Sequence, residues 1–199
     1  MDAIAQKLLA SAEPSVRFKV RVGVLGEALD SPGIRALQEE IRTSPRVRTL
    51  LGDGERYHLY AKWKGAHWVL LRLADFGYPA GDPALRPTMD RVLECWLHPD
   101  ALREWECRTT AQARRGRGVP IMNGRARRCA SQQGNALYSA TVLGFLDERA
   151  PRLVELLARW QWPDGGWNCD RNPEAAHSSF WESLIPLRGL AAYDRATGD

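Results

Sequence analysis

Long apolar stretches are missing from this sequence. No segment approaches the roughly 20 apolar residues that a transmembrane helix needs. The first residues, MDAIAQKLLASAEP, lack the basic start and long apolar run of a secretory signal. We therefore expect a cytoplasmic protein with no signal peptide and no transmembrane segment.

Several catalytic signatures are also missing. The sequence has no phosphate-binding P-loop, no GxSxG motif, no HExxH motif and no dinucleotide-binding fingerprint, which disfavours the enzyme classes built on them. Its four cysteines, Cys95, Cys107, Cys129 and Cys169, form no CxxC pair. Because a chain of 199 residues does not need disulfides to fold, reduced thiols are the default expectation.

The composition is that of a globular domain with one exception. Apolar residues make up 44% and charged residues 26% of the chain, and the length predicts a single domain over 1–199. The net charge of +4 permits contact with nucleic acid without requiring it. The exception is tryptophan, with eight residues, which indicates an aromatic lining or aromatic staples between elements.

Proline marks a series of predicted helix starts. EPSVR at 13–17, SPGIR at 31–35 and SPRVR at 44–48 share one pattern, and DPALR at 82–86 and APRLV at 150–154 are looser copies. Proline is favoured at the first helical position, and a preceding Ser or Asp caps the helix. Short helices joined by tight turns are therefore expected.

Residues 16–24 carry a mixed pattern. They alternate V-R-F-K-V-R-V-G-V like a half-buried strand, yet Val16, Val20 and Val24 also fall at helical spacing. Because no partner strand is evident elsewhere, we predict a helix here.

One order of helices occurs twice in the rest of the chain. Residues 62–76 are apolar nearly all round, as in a buried helix, and 87–97 are amphipathic. The same order returns in 131–146, which hold no charged residue, and in 152–161; a third buried-type helix covers 178–193. The predicted fold is all-α, with helical hairpins in an inner and an outer layer. Its predicted parts are short helices over 1–60, a first hairpin over 62–98, an arginine-rich loop over 103–128, and a second hairpin with the last inner helix over 131–199.

The arginine-rich segment 103–128 interrupts this pattern. It holds eight arginines and little apolar periodicity, so we interpret it as a long loop or arm. Its clusters, RRGRG at 114–118 and RARR at 125–128, suit phosphate groups of nucleic acid or of a diphosphate ligand. Trp105 is its single aromatic residue, which weakens the nucleic-acid interpretation and favours a solvated loop.

The segment QWPDGGW at 161–167 resembles the QW motif of the squalene–hopene cyclase and protein prenyltransferase families. Those families share an α-α toroid of inner and outer helices, and the motif is structural in them. Gln161 is expected to bond backbone at the end of its own helix, and Trp167 to stack back across the hairpin after the Pro-Asp-Gly-Gly turn. At about 40–50 residues per hairpin this chain holds four to five. The resemblance therefore implies an incomplete ring, closed by the N-terminal helices or by a second subunit in a homodimer.

The sequence departs from the cyclases at their acid motif. No Asp-x-Asp-Asp is present, and Asp147, Glu148 and Asp164 are isolated turn acids. If the chain is an enzyme, the resemblance implies a terpene cyclase- or prenyltransferase-like activity that does not use this motif for protonation.

Cys129, Cys169, Asp170 and His177 form a candidate metal site. They flank the uncharged helix, the QW turn and the last inner helix, so they are expected at one end of the ring. Protein prenyltransferases hold zinc with Asp, Cys and His, and the resemblance implies zinc here, although the spacing differs. Two thiolates, His177 and either Asp170 or water would complete a tetrahedron. The alternatives are a disulfide, or two thiols that act as small buried hydrophobic groups.

A second candidate site lies on the predicted inner helices. Aromatic rings that face a central cavity bind apolar ligands or stabilise cations. His67 and Glu182 are the candidate acid–base pair. The other candidate lining residues are Trp63, Trp68, Gln132, Asn135, Tyr138, Phe180 and Trp181. The alternative is a collapsed core in which a backbone carbonyl satisfies His67.

Two functions follow from these observations. The preferred one is a small toroid-type protein that binds an apolar or isoprenoid-like small molecule in a central aromatic cavity and holds zinc. The competing one is a non-catalytic helical-repeat scaffold that contacts nucleic acid or another protein through the arginine-rich segment. A wide aromatic cavity favours the first function, and a filled core favours the second.

Overall fold

A computed structural model describes residues 3–198 and places the chain in two compact units, Met1–Leu85 and Arg86–Asp199. The single domain expected from the length stays a prediction. Helix accounts for 61% of the structure, and a small three-stranded sheet accompanies it. Within residues 3–198, none of the helices combines the length and the apolar character that a membrane crossing requires.

The first unit consists of short helices. They are α1 Ala3–Leu9, α2 Pro14–Gly23, α3 Pro32–Thr43, α4 Pro45–Arg56 and α5 Ala66–Phe76, followed by a 3-10 turn at Pro83–Leu85. Proline is the first residue of α2, α3 and α4, which confirms those predicted starts, and the ambiguous segment 16–24 is helical up to Gly23. Ser31 and Ser44 cap α3 and α4 by accepting the amides of Ile34 and Val47.

Helix α5 supplies the apolar face on which the first unit packs. Leu70 and Leu73 are fully buried, as are Ile34 and Ile41 of α3. Gly54 of α4 lies so close to α5 that a Cβ there would come within 3.1 Å of Val69 Cγ2. The buried helix predicted over 62–76 therefore exists, although it starts only at Ala66.

The second unit alternates helices with short strands. Its elements are α6 Arg86–Leu97, α7 Pro99–Leu102, β1 Glu104–Glu106, α8 Thr110–Arg115, β2 Val119–Met122, β3 Arg125–Ala126, α9 Ser131–Val142, α10 Arg149–Trp160 and α11 Phe180–Thr197. Strand β2 is central. It pairs parallel with β1, Glu104 opposite Val119, and antiparallel with β3, Ile121 opposite Ala126.

The arginine-rich segment is folded, contrary to the loop predicted over 103–128. It forms β1, α8, β2 and β3. Thr109 and Gln112 make a capping box at the start of α8, and Asn123 and Gly124, both with positive φ, form the tight turn between β2 and β3. Strands of two to four residues are too short to show a period, so only these two turn signals were readable in the sequence.

Helices α9 and α11 pack with their backbones in close approach. A Cβ on Gly134 would lie 2.6 Å from Pro186 Cα, and a Cβ on Gly189 would lie 2.5 Å from the Gly134 carbonyl oxygen. Glycine is required at both positions because any side chain would meet backbone atoms. This contact brings the beginning of α9 close to the beginning of α11.

The QW segment ties the end of α10 to its surroundings. Trp167 Nε1 donates to the Leu157 carbonyl at 2.8 Å, so this indole reaches back across the hairpin as expected. Gln161 Nε2 instead donates to the Gly165 carbonyl at 2.8 Å, so it closes the turn rather than the end of its own helix. Trp162 Nε1 donates to the Ala126 carbonyl and so links the turn to β3.

Candidate metal centre

Three separate segments of the second unit bring Cys129, Cys169 and Glu182 together. The two sulfur atoms and a carboxylate oxygen all lie within 4.8 Å of one another. Cys129 precedes α9, Cys169 follows the QW turn, and Glu182 lies in the first turn of α11. All three residues are half-buried.

Glu182 is held in place by the two helix ends that meet here. Its Oε2 accepts the backbone amide of Ser131 at 3.0 Å, which caps the first turn of α9 with a carboxylate. Its own amide donates to the Ser179 hydroxyl, the cap of α11, at 3.5 Å. The close approach of α9 and α11 therefore fixes the carboxylate beside Cys129.

The loop that carries Cys169 is fixed by Arg127, the residue that follows β3. Arg127 pairs with Asn168 in a parallel β-bridge, and its Nη1 donates to the Ala175 carbonyl at 3.0 Å. Asn168 Nδ2 donates to the His177 carbonyl at 2.9 Å across the base of the loop. Cys169 is thus positioned by backbone and amide contacts on both sides.

The two thiols differ in acidity because they interact. Hydrogen bonding with Cys169 lowers the pKa of Cys129, and the same contact, with burial and the nearby charge of Glu182, raises the pKa of Cys169. The Cys169 thiol donates to Glu182 Oε1 at 3.7 Å. Cys129 is therefore the more acidic of the two thiols, and a bound cation would favour the thiolate form of both.

Asp170 and His177, predicted as metal ligands, lie outside this group. Both are exposed. Successive Asx turns direct the Asp170 carboxylate to the amide of Asn172, at 2.9 Å, and His177 is held through its carbonyl. Glu182 joins the thiols in their place. Its Ser-x-x-Glu spacing from Ser179, typical of a helix N-terminus, is the sequence signal that could have placed it at this end of α11.

The first unit carries an aromatic cluster of its own. Trp63 and Trp68 lie 4.6 Å apart between ring centroids, and Tyr60 lies 5.2 Å from His67 and 5.6 Å from Trp68. Trp63 is half exposed, whereas His67 is buried. His67 thus belongs to the first unit and Glu182 to the second, and their acid–base pairing stays a prediction.

The remaining candidate lining residues lie on α9 and α11 in different environments. Asn135 is buried, Gln132 is half-buried, and the ring of Tyr138 is covered by Arg188, whose Cζ lies 3.7 Å from the ring centroid. Trp181 is 60% exposed. A common cavity for these residues also stays a prediction.

Acid is expected to destabilise the first unit through His67. Burial lowers the pKa of His67 to about 4, from 6.5. The unfolded chain then binds a proton that the folded chain excludes. The contribution of His67 to the free energy of unfolding is therefore fully present above pH 6.5 and is lost as the pH falls towards 4. By pH 5 the loss is about 2 kcal/mol relative to pH 8. Urea titrations from pH 5 to 8 measure this change in the free energy of unfolding.

The control for this prediction is a second histidine of the same unit. His67→Phe, which keeps a ring in the aromatic cluster, should remove most of the pH dependence. His58→Asn replaces an exposed histidine and should leave the pH dependence of stability unchanged. An equal pH dependence in His67→Phe and the unchanged chain would show that other groups cause it.

Comparison with models of known protein families, with curated proteins and with solved structures finds no match to this chain. The resemblance of Gln161–Trp167 to the QW motif is therefore supported only by the motif itself and by the order of the helices. Cys129, Cys169 and Glu182 form the site whose geometry bears on function.

Proposed function

We propose that this chain is a zinc protein whose metal is held by Cys129, Cys169 and Glu182. The observation that carries the proposal is the convergence of two sulfurs and a carboxylate oxygen within 4.8 Å. Zinc accepts thiolate and carboxylate ligands in tetrahedral sites. Magnesium and calcium prefer oxygen ligands alone, so a pair of thiols favours zinc.

Three protein ligands leave one tetrahedral position for water or a small molecule. Structural zinc sites usually have four protein ligands, whereas catalytic sites keep one position open. Zinc in such a site polarises a bound oxygen and lowers the pKa of bound water. Because the three side chains are only half-buried, we propose that a small molecule binds at this open position and is transformed there.

An exposed apolar surface supports an apolar or isoprenoid-like molecule. Phe180, Leu184 and Leu187 follow one face of α11 and are 77%, 45% and 49% exposed. Trp181 lies between this face and Glu182 around the first turn of the helix. A molecule at the metal can extend over Trp181 onto the apolar face. With the QW-like turn, this favours a terpene cyclase- or prenyltransferase-like activity within a toroid-type fold.

Metal content tests the proposal directly. The purified chain is expected to carry about one zinc per molecule in native mass spectrometry and elemental analysis, since one site is proposed. A thiol reagent should modify Cys129 and Cys169 slowly until a chelator is added. Cys95, half-buried and outside the group, is the internal reference whose modification should not depend on the chelator.

Two results would contradict this assignment. One is a chain that contains no stoichiometric zinc and does not take it up in equilibrium dialysis. The other is equal modification of Cys129 and Cys169 with and without chelator.

A further inference from the structure

The second unit contains a cavity of about 650 Å³ whose lining is unusually rich in arginine. Arg91 comes from α6, Arg117 from the loop after α8, Arg128 from the segment between β3 and α9, and Arg171 from the loop that carries Cys169. Glu94 and Asp100 are the two carboxylates of the lining. Cations therefore outnumber anions in a space large enough for a small molecule.

The loop geometry presents Arg117 to the cavity. Gly116 lies against the ring of Trp105, and a Cβ at that position would collide with the indole. Gly118 has a φ of +99°, and a Cβ there would collide with the Arg103 carbonyl oxygen. These two contacts hold the loop close to Trp105 and Arg103. The two glycines therefore fix the position of Arg117 between them.

Arg128 is fixed against the wall of the cavity. Its Nε donates to Gln133 Oε1 at 3.3 Å, and its Cζ lies 5.6 Å from the ring centroid of Trp160 and 5.9 Å from that of Trp96. A guanidinium held by aromatic faces loses little freedom when it binds a ligand.

The other three cations are available to a ligand. Within residues 3–198, no carboxylate lies within ion-pair distance of Arg91, Arg117 or Arg171. Arg91 and Arg117 are exposed and Arg171 is half-buried. Elsewhere in the unit Arg86, Arg149, Arg152 and Arg159 do pair with carboxylates. Unpaired arginines that converge on one cavity indicate an anionic ligand.

We infer that this cavity binds a small molecule through a phosphate group. The planar fork of each guanidinium donates two parallel hydrogen bonds to a phosphate, and several arginines together suit a group with more than one negative charge. A nucleic-acid strand fits less well, because the described residues that line the cavity include no Trp, Tyr or Phe for base stacking and Glu94 and Asp100 would repel a continuous phosphate backbone.

The cavity borders the proposed metal centre along the chain. Arg128 directly precedes Cys129, and Arg171 follows Cys169 by two residues. A phosphate held by these arginines therefore lies near the thiols, which makes a phosphorylated molecule the substrate class of the proposed zinc site. This last step rests on the proposed function, whereas the binding of phosphate itself does not.

Calorimetric titration with inorganic pyrophosphate, and with inorganic phosphate for comparison, tests the inference at constant ionic strength. Pyrophosphate is expected to bind more tightly than phosphate. Arg117→Gln and Arg91→Gln should each weaken pyrophosphate binding about tenfold, because each removes a charge-assisted contact. Both side chains are exposed and make no ion pair, so the fold should persist, and circular dichroism checks this.

The matched controls are Arg114→Gln and Arg115→Gln. They remove the same charge from the same segment but lie outside the lining, so pyrophosphate affinity should change less than about twofold. Equal losses in all four variants, or no pyrophosphate binding at millimolar concentration, would overturn the inference. Tighter binding of a mixed-sequence oligonucleotide, lost equally in lining and control variants, would overturn it in favour of a nucleic-acid surface.

The chelator-treated chain separates this site from the metal centre. It is expected to bind pyrophosphate, and Arg91→Gln and Arg117→Gln should weaken that binding about tenfold. If the chain contains no zinc but pyrophosphate binding depends on Arg91 and Arg117, the phosphate site stands and the zinc proposal fails. If zinc is present but pyrophosphate does not bind, the zinc proposal stands and the phosphate site fails.

Discussion

Replacing Cys169 with serine is expected to lower the affinity for zinc by at least about 100-fold. Even groups that only orient a ligand change metal affinity by about 10- to 100-fold, and a direct ligand contributes more. A serine hydroxyl does not ionise near neutral pH and so cannot replace the thiolate. Zinc affinity is measured by competition with a chromophoric chelator at pH 7.

Two further variants sharpen this measurement. Cys95→Ser removes a half-buried thiol outside the group and should keep the affinity of the unchanged chain. Glu182→Gln keeps an oxygen that accepts the Ser131 amide, so the cap of α9 should survive while the negative charge at the metal is lost. Its affinity should fall with little change in thermal stability. Unchanged affinity in both Cys169→Ser and Glu182→Gln would exclude this metal centre.

The helices were readable from the sequence because their signals are local. A proline at the first helical position and a serine before it set the starts of α3 and α4 within a few residues. The uncharged stretch after Cys129 identified α9 as a buried helix, and seven of its twelve residues are buried. Such features depend on the nearest turn of the chain and need no knowledge of the fold.

The sheet and the environment of its arginines were not readable, because long-range packing decides them. The sequence pattern predicts a solvated loop around Arg127, yet this residue is 2% exposed, and its Cζ lies 4.6 Å from the ring centroid of Trp162. Burial lowers the pKa of Arg127, and the Ala175 carbonyl and the indole face compensate part of the lost hydration. Charge along a sequence does not reveal which guanidinium finds such partners.

The candidate metal centre was predictable only in part, for the same reason. Cys129 and Cys169 were paired because both flank predicted helix ends, and the structure brings them together. The sequence predicts Asp170 from its place beside Cys169 and His177 from its place at the start of the last inner helix, whereas both residues are exposed and an Asx turn directs Asp170 to the amide of Asn172. Glu182, thirteen residues after Cys169, reaches the thiols through the packing of α11 on α9.

Gly134→Ala is the variant that tests this packing, and it is expected to lower the free energy of unfolding of the second unit by about 3 kcal/mol. The added Cβ would lie 2.6 Å from Pro186 Cα and 2.8 Å from Pro186 N. These are backbone atoms of a helix interior and cannot rotate away, so α9 and α11 must separate. Urea titration followed by tryptophan fluorescence and circular dichroism measures the change.

Gly52→Ala provides the matched control, because a Cβ at this α4 position meets nothing within 4 Å. It should stabilise the chain by about 0.5–1 kcal/mol, as alanine normally does in a helix. Separation of α9 from α11 also moves Glu182 away from Cys129, so Gly134→Ala should weaken zinc binding although it changes no ligand. Equal stability of Gly134→Ala and the unchanged chain would mean that the helices are not in backbone contact. Reduced stability with undiminished zinc affinity would mean that the metal centre does not depend on that contact.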